Sequence, residues 1–135
     1  MKTQTQLVFS LLKSASCIER KLDRALSCTK GISFTEFHLL NELQMKYKGA
    51  AMRVDLAEAV SLTPSAVARA LKSLEKIGLV ITEKSVRDAR RSMATLTPAR
   101  FELLEDANRI VQDGIASLSL MDSNVSDALD VLNQR

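Results

Sequence analysis

The stretch that decides the fold reads Leu62-Thr63-Pro64-Ser65-Ala66-Val67-Ala68-Arg69-Ala70-Leu71-Lys72-Ser73-Leu74-Glu75-Lys76-Ile77-Gly78. The Thr63 hydroxyl can accept a hydrogen bond from an unpaired N–H of a first helical turn, and Pro64 follows where a missing N–H costs nothing, so a helix starts here. Val67, Leu71, Leu74 and Gly78 recur at spacings of four, three and four. That period puts the three aliphatic side chains on one face and leaves Ser65, Ala66, Ala68, Arg69, Lys72 and Ser73 on the other. Gly78 can take the left-handed conformation of a C-terminal cap, after which Leu79-Val80-Ile81-Thr82 reads as a strand.

A second run, Ser92-Met93-Ala94-Thr95-Leu96-Thr97, returns with partial alternation, and the turn between the two carries Lys84, Arg87, Asp88, Arg90 and Arg91. This is a hairpin with a cationic tip. Arginine at such a tip can follow phosphates or enter a narrow minor groove. Asp88 reads as a strap for a neighbouring guanidinium, because an acid would repel phosphate. A helix with a small, polar, cationic outer face can approach a groove wall closely while offering donors to bases and phosphates. Helix, strand and basic hairpin in this order are the plan of a winged helix-turn-helix, and duplex DNA is the expected partner. Thr63, Pro64, Ser65, Ala66, Ala68, Arg69, Lys72 and Ser73 are the candidate recognition-helix contacts.

Working outward, the chain reads as helix on both sides. Leu11, Ala15, Ile18, Leu22 and Leu26 form a stripe in a helix over about Thr5 to Ser27. Ser33-Phe34-Thr35-Glu36 is a capping box opening a second helix with Phe37, Leu40 and Leu43 inward, and Lys48-Gly49-Ala50 breaks it. Met52-Arg53-Val54 is expected as a short strand, and Asp55 to Val60 as the first helix of the helix-turn-helix, with Leu56 and Val60 inward. Thr97-Pro98 repeats the Thr63-Pro64 signal and opens a long helix with Phe101, Leu104, Ala107, Val111, Ile115 and Leu118 on its apolar side. A last helix is expected from about Ser123, with Met121, Val125, Ala128 or Leu129, and Leu132 giving an apolar side. The fold class is thus mainly α with a small β wing. The terminal helices carry more apolar surface than the central module can cover, which calls for a second copy of the chain; an intramolecular bundle is the alternative. Leu7, Leu11, Ile115, Leu118, Val125, Leu129 and Leu132 are the candidate dimerisation residues.

Leu62-Thr63-Pro64-Ser65-Ala66-Val67, Leu74-Glu75-Lys76-Ile77-Gly78-Leu79-Val80, and Asp88-Ala89-Arg90-Arg91 through Leu96-Thr97-Pro98 resemble the MarR family of bacterial transcription factors, whose length and helix order fit the whole chain. The resemblance implies one domain over residues 1–135. Within it, 33–97 would be the DNA-binding lobe, and 1–30 with 98–135 a helical dimerisation region. It further implies a homodimeric repressor on a pseudo-palindromic operator, released by a small organic effector between the dimer helices and the lobe. Ser14, Cys17, Arg20, His38 and Met45 are the candidates near that crevice. One branch of the family senses hydroperoxides through a cysteine early in the first helix, beside tyrosines. Cys17 lies about two turns further along, the sole tyrosine is Tyr47, and Cys17 reads better as a small buried apolar residue. Redox sensing through Cys17 and a winged-helix protein-interaction module are the alternatives.

Composition agrees. At 135 residues and 46% apolar content the chain suits one domain with a sizeable core. Residues 1–52 carry eight Lys and Arg against four acids, 53–97 eight against five, and 98–135 three against seven, so the positive field belongs to the first two thirds. No segment approaches the ~20 apolar residues of a membrane span and no secretory signal is visible, so a cytoplasmic location is expected. Two isolated cysteines and one histidine support neither a disulfide framework nor a metal site, no cofactor is called for, and with no phosphate-cradling glycine loop there is little from which to build an enzyme.

Overall fold

The chain begins with a long helix, α1 (Gln4–Lys30), opened by a reciprocal cap: the Thr3 hydroxyl accepts from the Gln6 N–H and the Gln6 side chain accepts from the Thr3 N–H. Gly31, at φ +70°, ends it. The helix is therefore longer at both ends than the apolar stripe alone suggests, about 40 Å at 1.5 Å per residue. In the computed structural model, which describes residues 3–84, 87, 91–118, 129–130 and 132–133, only its C-terminal half is covered. Leu22 and Leu26 are buried and Ile18 packs against the core, whereas Leu11 and Ala15 of the same stripe stand in the open, because the helix overruns the core of its own chain.

Helix α2 (Phe34–Met45) starts at the expected capping box, Ser33 with Glu36, and the Asp23 carboxylate of α1 accepts the Phe34 N–H at 2.8 Å. Phe37, Leu39, Leu40 and Leu43 are buried. Gly49, at φ +106°, turns the chain into β1 (Ala50–Met52), and α3 (Arg53–Ala59) follows at once. The expected strand Met52-Arg53-Val54 is thus displaced. Pairing begins with the small Ala50 and Ala51, and the Arg53 N–H still reaches the Ser92 carbonyl at 2.8 Å while its backbone has already turned helical. Helix α4 (Pro64–Lys76) is capped by Thr63 as predicted, with Val67, Leu71 and Leu74 buried, and Gly78 follows at φ +78°. Strands β2 (Val80–Glu83) and β3 (Met93–Leu96) form the hairpin, and β1 adds to it in an antiparallel sheet of order β1-β3-β2.

Helix α5 (Arg100–Ala116) does not use Thr97 as its cap. The Thr97 hydroxyl instead donates to the Gly78 carbonyl at 2.5 Å and its N–H to Leu79, so the residue closes the base of the hairpin and the helix begins three residues later. Phe101, expected inward, is 62% exposed with the Arg100 guanidinium over its ring; the buried stripe begins at Leu104 and continues through Ala107 and Val111. Helices α1 and α5 cross where Gly114 has no side chain: a Cβ there would lie 2.6 Å from Leu22 Cδ2. Lys30 Nζ of α1 is 2.7 Å from Asp106 Oδ2 of α5, and Arg109 holds the other carboxylate oxygen. Residues 129–130 and 132–133 are helical, while the start of the predicted last helix lies outside the described residues. Among the described residues no helix is long and apolar enough to cross a membrane.

Two expected outcomes follow from this packing. Leu40 is fully buried in the single core, so Leu40→Ala lowers unfolding free energy by about 2–5 kcal/mol in denaturant titration. Asp106 is held below the usual carboxylate range, first by its hydrogen bond from Lys30 and then by that ammonium's charge. A carboxylate with a depressed folded-state pKa contributes stability above its unfolded value of about 3.9 and loses it as pH falls through the folded one. Asp106→Asn therefore lowers the melting temperature at pH 7, and the gap from wild type closes in acid.

Candidate nucleic-acid interface

The exposed side of α4 is built by burial of its opposite side. With Val67, Leu71 and Leu74 inside, Ser65, Arg69, Lys72, Ser73 and Lys76 are exposed and Ala66 and Ala68 half-buried. Thr63 Oγ1 accepts the Ala66 N–H at 3.1 Å, so the threonine is a cap whose acceptor is already engaged. Ser73 Oγ donates back to the Arg69 carbonyl at 3.3 Å, which engages its hydroxyl hydrogen within the helix. Arg69, Lys72 and Lys76 remain as the long cationic side chains of this face, the first two rising from a surface of serine and alanine.

Of the wing residues, Lys84, Arg87 and Arg91 are exposed, and Arg87 makes an interaction within the chain. Asp88 and Arg90 lie outside the described residues, and with them the expected strap. Between α4 and the hairpin runs a groove of about 280 Å³, lined by Ala68, Leu71, Lys72 and Glu75 of α4, Thr82 and Lys84 from β2 onward, Met93 and Ala94 of β3, and also by Arg53 and Ser92. Sequence reasoning missed Arg53 because it was assigned to a strand. The helical start after β1 turns it toward Lys72 and Lys84, and only the pairing of β1 with β3, over forty residues apart, reveals that. Glu75, also unremarked in the sequence, accepts from the Thr82 N–H at 3.1 Å and the Thr82 hydroxyl at 2.9 Å.

The five residues expected to share an effector crevice do not converge. Met45 lines a cavity of about 330 Å³ between α2 and α5, with Asn41, Gln44, Phe101, Glu105 and Asn108 among its walls. Cys17 and Arg20 line a separate groove of about 690 Å³ along α1 with Lys21, Arg24, Cys28 and Ile110. Ser14 is exposed on α1, and His38 stands 3.9 Å from Glu42 with its ring stacked against Phe34. Positions 14, 17 and 20 belong to α1, whereas 38 and 45 lie about two turns apart on α2, where Met45 and not His38 borders the cavity against α5. Cys17 is exposed, not buried as its residue type suggested, and Arg20 Nη2 donates to its sulfur at 3.4 Å. Among the described residues no cluster of His, Cys, Asp and Glu could hold a metal ion.

Of the dimerisation candidates, Leu7, Leu11, Leu129 and Leu132 are exposed, and Val8, Phe9 and Leu12 join them as large apolar groups in the open. Ile115 packs on this chain's own core, Leu118 is half-buried, and Val125 lies outside the described residues.

The MarR family model matches residues 32–92, from just before α2 to the end of the wing. Residues 32–92 of the chain thus resemble the MarR family. That family is one of transcription regulators, not of enzymes. Solved structures share the fold over nearly the full length. The transcriptional regulator BldR from Sulfolobus solfataricus superposes with a TM-score of 0.83 at 23% identity, over 99% of this chain and 96% of that one. Sco3205 from Streptomyces coelicolor, a MarR family transcriptional regulator solved in complex with DNA, gives 0.81 at 25% identity over 98% and 86%. The organohalide-sensing regulator RdhR-CbdbA1625, solved with 2,4-dichlorophenol bound, gives 0.78 at 20% over 99% and 79%. No curated protein matches this chain significantly in sequence.

Proposed function

We propose that this chain is a cytoplasmic transcriptional repressor that binds a pseudo-palindromic operator in duplex DNA as a homodimer. The observation that carries the reading is the open, small-residue face of α4, with Arg69 and Lys72 exposed beside a wing that exposes Lys84, Arg87 and Arg91. A wing built to dock on protein would present apolar residues there instead. The α4 side chains reach bases and phosphates in the major groove, and the wing follows the adjacent backbone or minor groove. The DNA complex of Sco3205 supports the assignment by likeness of fold.

A second copy supplies the symmetry. Leu7, Phe9 and Leu12 are each more than half exposed on the overrunning part of α1, and Leu129 and Leu132 are exposed near the other end of the chain. An isologous interface between these ends removes that surface from water and sets two copies of α4 at ~34 Å, one helical turn of DNA. The cavity between α2 and α5 joins the lobe to the terminal helices, and a ligand that prefers one arrangement of those two parts shifts the spacing and releases the operator. Its polar lining is three amides and the Glu105 carboxylate, which suits a neutral or amine-bearing apolar molecule better than an acid. The dichlorophenol complex of RdhR-CbdbA1625 is a precedent for an effector in this fold.

Selection of bound sequences from random duplexes tests the whole reading: a symmetric consensus with half-sites about one helical turn apart is expected, and a monomeric chain without preference for any duplex overturns it. On the selected site, Arg69→Ala costs about 1–3 kcal/mol and relaxes one base position. Lys72→Ala weakens all sequences alike and flattens the salt dependence by about one unit per half-site, read from binding isotherms at several ionic strengths.

A further inference from the structure

Glu75 is out of place on a DNA-facing surface. It lies on α4 one turn after Lys72 and two turns after Ala68, and all three border the groove that separates the helix from the hairpin. A carboxylate there repels phosphate. Its geometry gives it a different task. One oxygen, Oε1, takes both donors of Thr82, the backbone N–H and the hydroxyl. Thr82 belongs to β2, which is the edge of the sheet because β3 lies in the middle. An edge strand turns alternate N–H groups away from its only neighbour, and those groups need a partner or water. Glu75 supplies that partner from the recognition helix itself.

The consequence reaches the wing. Lys84 follows Thr82 by two residues, and Arg87 and Arg91 come from the loop that β2 launches. The short link Ile77-Gly78-Leu79 sets where β2 begins, and the Glu75–Thr82 contact sets how closely its far end lies against α4. Resting on the DNA-binding reading above, the geometry points to Glu75 as a positioning residue: through Thr82 it holds the wing at the separation from α4 at which both meet one stretch of duplex. The charge is present to do so at any ordinary pH, because the hydrogen bonds from Thr82, with Lys84 nearby, keep the carboxyl below its usual range.

The sign of one substitution separates this role from that of an ordinary surface acid. Removing a negative charge beside phosphates tightens binding if charge alone matters. Removing a strap weakens it. With the duplex that the wild-type chain selects, Glu75→Ala raises Kd about fivefold or more, the equivalent of one charge-assisted hydrogen bond. In hydroxyl-radical footprints it also loses protection at the outer, wing-contacted ends of each half-site while the inner contacts of α4 persist. Glu75→Gln keeps the accepting oxygen and drops the charge, so it binds at least as well as wild type and restores the flanking protection. Thr82→Val keeps the N–H and loses the hydroxyl, and falls between, which provides a second reading should Glu75→Ala fold poorly. Thermal melts at pH 7 place the folded fraction of each variant on the same scale. A Glu75→Ala chain that binds as tightly as wild type or tighter, or one that loses protection evenly across the half-site, overturns this proposal alone. A wild-type chain that selects no duplex overturns the DNA-binding reading and this role with it.

Discussion

The arrangement of the lobe depends on the burial of one stripe of α4. Val67, Leu71 and Leu74 are held among α2, α3 and β2, at about 1.5–3 kcal/mol for each side chain taken out of water. A 13-residue helix has little stability of its own in water, so this contact makes it a helix and at the same time fixes its roll. The roll decides which residues are presented. Turning α4 by one position would carry Ala68 inward and expose Val67, losing both the core and the cationic face. Specificity for a surface and stability of the fold are here the same interaction seen from two sides.

The joint between α1 and α5 works on a different principle. At Gly114 the helices approach so closely that no side chain fits beside Leu22, and toward the other end of the contact Asp106 is shared between Lys30 and Arg109. A close backbone approach fixes distance, whereas a charged pair on the half-exposed surface adds direction more than energy. The Asp23 contact to the Phe34 N–H then ties α2 to α1, so the lobe is referenced to the long helices through polar contacts placed around an apolar crossing. Little of the joint's free energy lies in any single contact, so its arrangement rests on all of them together.

Local signals in the sequence were read correctly where a local cause sufficed. Thr63-Pro64 and Ser33 with Glu36 are caps that depend on three or four consecutive residues, and the stripe of α4 depends on period alone. The same signals misled where a distant partner competed. Thr97-Pro98 has the chemistry of a helix start, but Gly78 and Leu79 take both donors of Thr97. Met52-Arg53-Val54 has the β-branched, extended look of a strand, yet the Cα pairing with β3 stops at Met52 and Arg53 opens α3. Phe101 fits the period of α5 but lies outside the buried stretch, as Leu11 does in α1; periodicity gives the face and cannot give the length of helix that something covers. The site shows the same division. The cations of α4 and the wing were legible as composition, whereas Arg53 and Glu75 acquire their places only from the fold.

That division changes how the charge distribution is understood. The acidic excess after Pro98 leaves the positive field to the first two thirds of the chain, but in α5 these acids also have local duties: Asp106 holds Lys30 and Arg109, and Glu105 lines the cavity against α2. In the lobe, several acids are likewise engaged. Glu36 closes the cap of α2, Glu42 faces His38, and Glu75 is occupied by Thr82. A carboxylate that accepts two hydrogen bonds from its own chain keeps its charge but has fewer lone pairs to offer and a fixed place from which to act. Arg69, Lys72, Lys84 and Arg91, by contrast, stand exposed, with Lys72 and Lys84 on one groove. The field that would draw a polyanion therefore arises less from an excess of cations, which is only +3 over the chain, than from the fastening of anions to the scaffold while cations are left to extend from it.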